Sequence, residues 1–293
     1  MSDLSSGDYY KAVGSFMPYR IQRSSSKFSN VNVPTQLNGQ DLADPVASRY
    51  AAGWKDFSAQ PLFDASGPSE ADIDQGAAAD CYFLSSLSSV AKSDPELLRR
   101  SVVDLGDGTY AVHFQNYGRH SFVRVDGDLP VDGAGRPFYA AQGRGGSIWV
   151  AVMEKAWAFF RRSQGTYAST NFGRPSELYK ALGLNDVHSE SSASAFGSAT
   201  RMLEKIDAVL DDGGLVEYST RDTQPSGSKV RGNHVLMVDR VVRNSRGAAT
   251  GVVLRDPYKT DTPGAADGAN DGYITLTSAQ AAAWMEKLYW CEM

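Results

Sequence analysis

The sequence predicts an α+β fold, with helices concentrated in the first half of the chain and strands in the second. Residues 147–162 carry apolar side chains at three- and four-residue spacing, which is typical of a helix that faces a core. Residues 109–115 alternate between apolar and polar faces, as a strand does. Beyond residue 215, short apolar runs follow one another between turn signals, and no segment repeats. This order favours two unlike lobes over an alternating α/β sheet.

The helices and strands of the first half can be justified in order. Cys81–Lys92 has apolar residues at helical spacing, and Asp94-Pro95 provides the start of a second helix over Leu97–Val103. Strands are expected at Thr109–Gln115 and Ser121–Val125. The helix over 147–162 follows them.

The second half begins with a helix over 199–211, which ends at Gly213-Gly214. The strands expected after it are Leu215–Ser219, Val235–Val242, Gly251–Arg255 and Tyr273–Leu276. A last helix is expected over 278–287. The first forty residues are rich in serine and lack periodicity, so residues 1–44 are interpreted as a partly ordered extension; an export signal or a regulatory arm is the alternative.

Composition excludes several classes of protein. The chain has 293 residues and a net charge of −5, so no basic surface argues for nucleic acid. Two cysteines exclude a disulfide framework and a paired-cysteine zinc site. No apolar run approaches the roughly 20 residues that span a bilayer, and no secretory signal is recognised. The expected location is the cytoplasm, or export by a route without a cleaved signal peptide.

Cys81 is the first candidate for chemistry. A cysteine in an apolar helix is often a small buried hydrophobic residue, and this alternative stays open. Cys81, however, opens its predicted helix, and Asp80 precedes it as a possible N-cap. The positive end of the helix dipole favours a nucleophilic thiolate there. Such a thiolate needs a partner that handles protons, which directs attention to the histidines.

His234 has the most suggestive position of the four histidines. His113 lies on the more polar face of its strand, which indicates a solvated side chain, and His120 and His188 fall in turn or loop segments. His234 stands immediately before the apolar run 235–238. A side chain at the mouth of a buried strand is held rigidly and can still face a cleft.

Asp256 is the predicted partner of His234. A hairpin between the strands at 235–242 and 251–255, centred near Ser245, pairs residues whose numbers add up to about 490. His234 and Asp256 would then stand side by side at the open end of the hairpin. There the carboxylate could accept the Nδ1 proton and orient the imidazole. The pairing could slip by two residues.

These residues carry a resemblance to a known family. The segment QGAAADCYFLSS, residues 75–86, resembles the nucleophile segment of the calpain family of cysteine proteases. Residues 149–160 are similar to its LLEKAYA helix, residues 232–234 to its GHAY motif and residues 253–258 to its LRNPWG motif. Residues 271–277, followed by the last predicted helix, resemble the end of its protease core. The resemblance extends from about residue 45 to the end of the sequence.

The resemblance implies a papain-like fold with two lobes. A helical lobe at 45–190 would carry the nucleophile, and a strand-rich lobe at 191–293 would carry the histidine and the aspartate. The implied activity is that of a calcium-dependent-type cysteine endopeptidase with the triad Cys81, His234 and Asp256. Gln75, six residues before the cysteine, would help to form the oxyanion hole. Asp256 stands where the family has asparagine, and Tyr258 where it has tryptophan; a carboxylate can still orient an imidazole.

The resemblance also implies a calcium site. Its ligands would be the backbone carbonyls of Ala65 and Gly67 and the carboxylates of Asp72 and Glu154, oxygen ligands of the kind that Ca²⁺ takes. The alternative is a solvated loop acid and an ordinary surface glutamate. The second calcium site of the family is expected to be absent, because Tyr273 occupies one of its acidic positions. No other cofactor is expected.

Two other functions stay open. Papain-like triads also serve amidase, transglutaminase and deamidase chemistry, and a calpain-like module without activity could bind partners. Intact Cys81, His234 and Gln75 disfavour a silent site. Cys291, near Tyr289 and Trp290, is expected to pack in the core. The expected partner is a protein or peptide substrate of a monomer, without nucleic acid or a membrane span.

Overall fold

The computed structural model describes residues 42–223, 227–262, 265 and 268–293. The extension predicted at 1–44 therefore lies outside the described residues, apart from Leu42–Asp44. The described helices are α1 (Cys81–Ser93), α2 (Pro95–Ser101), α3 (Trp149–Phe160), α4 (Pro175–Ala181), α5 (Ala199–Asp211) and α6 (Ser278–Trp284). The described strands are β1 (Gly53–Asp56), β2 (Val102–Asp104), β3 (Thr109–Asn116), β4 (Arg119–Asp126), β5 (Asp128–Val131), β6 (Val187–Glu190), β7 (Leu215–Thr220), β8 (Val235–Arg243), β9 (Ala249–Arg255), β10 (Tyr273–Thr277) and β11 (Met285–Cys291).

The α+β fold class is confirmed, and the long elements lie where the sequence predicts them. Two helices end earlier than predicted. The helix expected through Val103 stops at Ser101, because Val102–Asp104 pairs with β3 instead. The helix expected through residue 287 stops at Trp284, and Met285–Cys291 becomes a strand between β6 and β7. In both places, strand pairing with a distant segment outweighs local helical spacing.

Contacts divide the described chain into two compact units. The first contains the residues up to Pro68, together with Gly76–Ala78 and Glu96–Asn171. The second contains Ser69–Gln75, Ala79–Pro95 and Phe172–Met293. Within the described residues, no helix combines the length and the apolar content that a membrane crossing requires.

The first unit is built around α3. This helix packs against β3 and β4 of an antiparallel sheet in the order β2-β3-β4, while β1 pairs with β5. Lys155 of α3 is fully buried and forms ion pairs with Asp126 at 2.6 Å and Asp44 at 2.5 Å. A buried ammonium is tolerated when carboxylates compensate it in this way, so Lys155 links α3 to the end of β4.

The second unit is an antiparallel sheet in the order β10-β9-β8-β7-β11-β6, covered by helices on both faces. Alternate residues such as Leu236, Val238 and Leu254 pack with α5 and α6 in one apolar core. The other face meets α1, where Ser85 Oγ donates a hydrogen bond to the carbonyl of Val235 at 2.7 Å. Strands that are buried on both faces hold the residues at their ends rigidly.

This division has other boundaries than the predicted lobes: residues 172–190, with α4 and β6, also fall in the unit that contains the strand-rich segment. The sequence assigns α1 to a helical lobe at 45–190, whereas the contacts group it with the strand-rich segment. The physical reason is the packing of α1 on β7 and β8, which the chain reaches only after residue 215. The segments that carry Gln75, Cys81, His234 and Asp256 consequently belong to a single compact unit.

Candidate active site

Cys81 is the first residue of α1, as the sequence predicts, and it is half-buried. Asp80 occupies the N-cap position and is fully buried, but its side chain makes no capping hydrogen bond. The first backbone N–H groups of any helix lack an acceptor within the helix, so the thiol lies beside a cluster of donors. One turn further along, Ser85 binds the carbonyl of Val235, the residue after His234. This hydrogen bond links the helix that begins at Cys81 directly to the strand that follows His234.

His234 is held at the start of β8 by the residues around it. A side chain on Gly232 would come within 2.4 Å of the carbonyl oxygen of Asp222, so only glycine fits there. Asn233 adopts φ +49°, a left-handed conformation that asparagine tolerates better than most residues. Thr220 then fixes the histidine backbone, since its Oγ1 accepts from His234 N–H at 3.0 Å. The imidazole is 5% exposed and has little freedom to move.

Asp256 lies beside His234, with Oδ1 2.9 Å from Nε2. The predicted contact is therefore present, but it involves Nε2 and not Nδ1 as the sequence analysis expected. Nδ1 is the nitrogen that remains for the thiol. Asp256 is fully buried, and the backbone N–H of Tyr258 also donates to Oδ1 at 2.9 Å. Two donors therefore converge on one carboxylate oxygen.

The register of the hairpin differs from the prediction by two residues. Met237 pairs with Arg255 and Val238 with Leu254. The reason is the turn, in which Asn244 N–H binds the carbonyl of Ala248, so that the centre lies one residue later than predicted. Moving the centre by one residue moves the partners at the ends of the hairpin by two, and irregularities between Val238 and Arg240 and between Val242 and Arg243 offset the middle pairs by one more.

The shifted register places Tyr258, rather than Asp256, in line with His234 across the two strands. The rings of Tyr258 and His234 are stacked, with centroids 5.5 Å apart and planes 18° from parallel. Tyr258 thus covers one face of the imidazole at the position where the family has a tryptophan. Asp256 contacts His234 from two residues before the directly opposite position.

Arg231 completes this cluster, and the sequence analysis did not single it out. Its Nε lies 3.3 Å from Asp256 Oδ2, and its guanidinium carbon lies 5.1 Å from the centre of the Tyr258 ring. The Arg231 side chain is 40% exposed, whereas the Asp256 side chain is fully buried. No local pattern marks this residue, because the contact depends on how the loop before β8 meets the segment after β9.

The electrostatics of the pair favour a charged imidazole. Burial lowers the pKa of His234, but hydrogen bonds to Asp256 and Cys81 and the charges of both groups outweigh it and raise the pKa to about 9. Burial likewise acts to raise the pKa of Asp256. The hydrogen bond and charge of His234, with smaller contributions from Tyr258 and Arg231, hold that pKa below its usual value. The two partners stabilise each other's charged forms.

Gln75 is 6% exposed and is tied to the same region through its backbone. Its N–H donates to the carbonyl of Pro257 at 2.7 Å. Two residues earlier, the carbonyl of Ile73 accepts from the buried guanidinium of Arg255 at 2.9 Å. The segment that carries Gln75 is therefore anchored on both sides of Asp256.

Cys291 and His113 lie outside the cluster around His234. Cys291 is fully buried in β11, in agreement with the predicted packing role, and burial raises the pKa of its thiol to about 11. His113 is half-buried and therefore less solvated than expected. It stacks on Phe122 and His120, and burial lowers its pKa to about 4.

Three of the four groups proposed to bind calcium, those of Gly67, Asp72 and Glu154, have protein partners. Arg144 Nη2 donates to the carbonyl of Gly67 at 2.8 Å, and a side chain on Gly67 would meet the guanidinium of Arg99. Asp72 accepts from the N–H of Ser69, and Glu154 accepts from the N–H of Ala140. Asp72 and Glu154 are both 1% exposed, so neither is the solvated surface acid of the alternative interpretation. Two guanidinium groups at Gly67 do not fit a calcium ligand, since they place positive charge where the ion would bind.

Comparison with known proteins identifies a clear similarity. The profile described as calpain family cysteine protease matches residues 47–259, a range that contains Cys81, His234 and Asp256. The calpain-1 catalytic subunits of Macaca fascicularis and Homo sapiens are 33% and 32% identical over 158 residues. The calpain-2 catalytic subunit of Homo sapiens is 29% identical over 158 residues. These alignments cover 50% of this chain and only 21–22% of the relatives' length.

Proposed function

The chain belongs to the calpain family of cysteine proteases, and on that basis we propose that it is a cysteine endopeptidase that hydrolyses peptide bonds. Cys81 is the nucleophile, His234 exchanges protons with the reacting groups, and Asp256 orients the imidazole. We further propose that the chain has the papain-like two-lobed arrangement. The observation that carries the proposal is the 2.9 Å contact between His234 Nε2 and Asp256 Oδ1, which leaves Nδ1 to serve a cysteine at a helix N-terminus.

In the first half of the proposed reaction, Cys81 Sγ attacks the carbonyl carbon of the peptide bond. The electron pair of the C=O bond moves to oxygen and forms a tetrahedral oxyanion. When the C–N bond breaks, the Nδ1 proton of His234 goes to the leaving amine, and a thioester to Cys81 remains. In the second half, His234 takes a proton from water, the hydroxide attacks the thioester, and the C–S bond breaks to restore the thiolate.

The oxyanion is stabilised by hydrogen-bond donors that are already in place. Candidates are the backbone N–H of Cys81, in the first turn of α1, and the side-chain amide of Gln75. The anchoring of Gln75 to Pro257 limits the reorganisation that the donor needs during the reaction. Loss of one such donor costs about 3–4 kcal/mol of transition-state stabilisation in other enzymes.

Hydrolysis of fluorescein-labelled casein, with the products sequenced from their N-termini, tests the proposed function. We expect the unsubstituted chain to cleave casein and Cys81→Ala to lose about 10³-fold or more of that activity. Product sequencing separates hydrolysis from amide transfer, because a transferase leaves cross-linked or deamidated casein without new N-termini. Equal activity of Cys81→Ala, or modified casein without cleavage, would contradict the endopeptidase assignment.

The two cysteines provide an internal control. Iodoacetamide at neutral pH should modify Cys81 at least about tenfold faster than Cys291, whose thiol is buried and has a pKa raised to about 11. Cys291→Ala should keep casein hydrolysis, and Cys81→Ala should abolish the fast phase of alkylation. If Cys81 reacts no faster than Cys291, the nucleophile has been assigned to the wrong residue.

A further inference from the structure

We propose that Arg231 is a positioning residue of the active site, whose charge partly neutralises Asp256 and thereby lets His234 release its proton. This role rests on the proposed function and deepens it. Neither the family motifs nor the sequence pattern points to Arg231. Position 256 departs from the family motif, because a carboxylate stands there in place of the neutral amide.

The carboxylate of Asp256 presents its two oxygens to different groups. Oδ1 accepts from His234 Nε2 and from the N–H of Tyr258, both at 2.9 Å. Oδ2 faces Arg231 Nε at 3.3 Å. Because Asp256 is fully buried, these neighbours determine how its negative charge is compensated.

The compensation matters when His234 loses its proton. While the imidazole is charged, Asp256 has a cation at each oxygen. Once His234 has given its proton to the leaving amine, Arg231 is, among the described residues, the cation that stays in contact with the buried carboxylate. Without Arg231, Asp256 would attract the imidazole proton more strongly, and the histidine would be a weaker acid towards the leaving group.

Other charged and titratable groups surround the pair. Cys81 faces His234, and the ring of Tyr258 contacts both the imidazole of His234 and the guanidinium of Arg231. Asp80 contributes to the field at Tyr258, whose pKa is raised by burial and by the charges of Cys81, Asp256 and Asp80. These groups keep their chemical identity in every Arg231 variant, so the variants differ from one another in the charge and shape of residue 231 alone.

Arg231 could instead be purely structural, since it also contacts Thr260 Oγ1 at 3.4 Å and stacks on Tyr258. The two roles differ in how they depend on Asp256. A structural role would persist when Asp256 is replaced by asparagine. A role in charge compensation would disappear, because Asp256→Asn leaves no charge to neutralise.

The test is a double-mutant cycle of Arg231→Gln and Asp256→Asn, read out as the pH dependence of Cys81 alkylation by iodoacetamide. In the Asp256 background, Arg231→Gln should shift the alkaline limb of the alkylation profile, where His234 loses its proton, upward by at least about 0.5 pH unit. This corresponds to roughly a threefold change in the proton affinity of His234. In the Asp256→Asn background the same substitution should move the limb by less than about 0.2 unit. Arg231→Lys should restore the original limb.

Activity gives a second readout. Arg231→Gln should lower the kcat for casein about threefold to tenfold with little change in KM, because substrate contacts are untouched. Arg246→Gln, at the exposed turn of the same hairpin, removes one positive charge as a matched control and should behave like the unsubstituted chain. Thermal melting of all variants excludes unfolding as the cause.

Equal shifts of the alkaline limb in both backgrounds, or no shift in either, would overturn the role of Arg231. So would an Arg231→Lys variant that behaves like Arg231→Gln. Failure of the proposed function gives a different result, since casein would stay uncleaved while the alkylation of Cys81 could still be followed. The alkylation cycle therefore tests Arg231 without requiring a peptide substrate.

Discussion

Replacing Asp256 by asparagine should lower the pKa of His234 by at least about one unit. In the present site, burial alone would lower that pKa, but the hydrogen bonds and charges of Asp256 and Cys81 raise it from 6.5 to about 9. An asparagine can keep an oxygen at the position of Oδ1, because the N–H of Tyr258 also points there. The hydrogen-bonded geometry should survive, and the negative charge that stabilises the imidazolium is lost.

The expected change in the pKa of His234 follows from its present displacement above the ordinary value. The rise from 6.5 to about 9 corresponds to roughly 3 kcal/mol in favour of the imidazolium, since one pKa unit is about 1.4 kcal/mol. Asp256 and Cys81 both contribute to that preference, so removal of one charge should cost about 1.4 kcal/mol or more. The active form needs the imidazolium and is lost as pH rises through the pKa of His234. Asp256→Asn should therefore move the alkaline limb of activity to lower pH.

Proton NMR of the imidazole Cε1–H groups is a direct assay, because the chain has only four histidines. His234→Gln identifies the resonance of His234, and the pKa of about 4 for His113 gives a well-separated internal reference. Cys81 alkylation against pH provides the kinetic counterpart. A His234 midpoint near 6.5 in the unsubstituted chain, or the same midpoint in Asp256→Asn, would refute the reasoning.

Three further predictions concern other parts of the chain. Lys155→Met should lower the free energy of unfolding by about 3–5 kcal/mol in urea titrations, because it leaves Asp126 charged and buried; a loss below about 1 kcal/mol would contradict this. Gly232→Ala should lower the kcat for casein about tenfold, because its methyl group meets the carbonyl of Asp222 and displaces His234. Gly53→Ala, whose added methyl group meets nothing within 4 Å, should leave activity unchanged, and equal activity of the two variants would count against the effect. EGTA should leave casein hydrolysis within about twofold of its original rate, since guanidinium groups lie against Gly67; clear stimulation by added Ca²⁺ would show that this segment rearranges.

Much of the candidate site could be predicted from local patterns. Cys81 begins α1, and His234 immediately precedes β8, because helix spacing and apolar runs are visible within a few residues of sequence. The contact between His234 and Asp256 was also predicted, although through a register that proved wrong by two residues. The contact survives because Asp256 reaches the imidazole from the side, past the strand end, instead of from the directly opposite position.

Besides β2 and β11, which lie partly in segments predicted as helix, four short elements were missed. The strands β1, β5 and β6 and the helix α4 are only four to seven residues long, too short for a period to be recognised. β11 carries helix-compatible residues and becomes a strand because it fills the place between β6 and β7. The pairing partner, not the local sequence, supplies its hydrogen bonds.

Local spacing was enough to find the candidate residues, because a cysteine at a helix start and a histidine before a buried strand can be recognised within a few positions. How these groups interact depends on the folded chain. The turn centred on Arg246 sets the register, Nε2 of His234 faces Asp256, and Arg231 reaches the same carboxylate from another loop. Such contacts join residues that are 22 to 25 positions apart in the chain. Sequence periodicity does not predict contacts over that distance. Packing and charge compensation in the folded chain determine them.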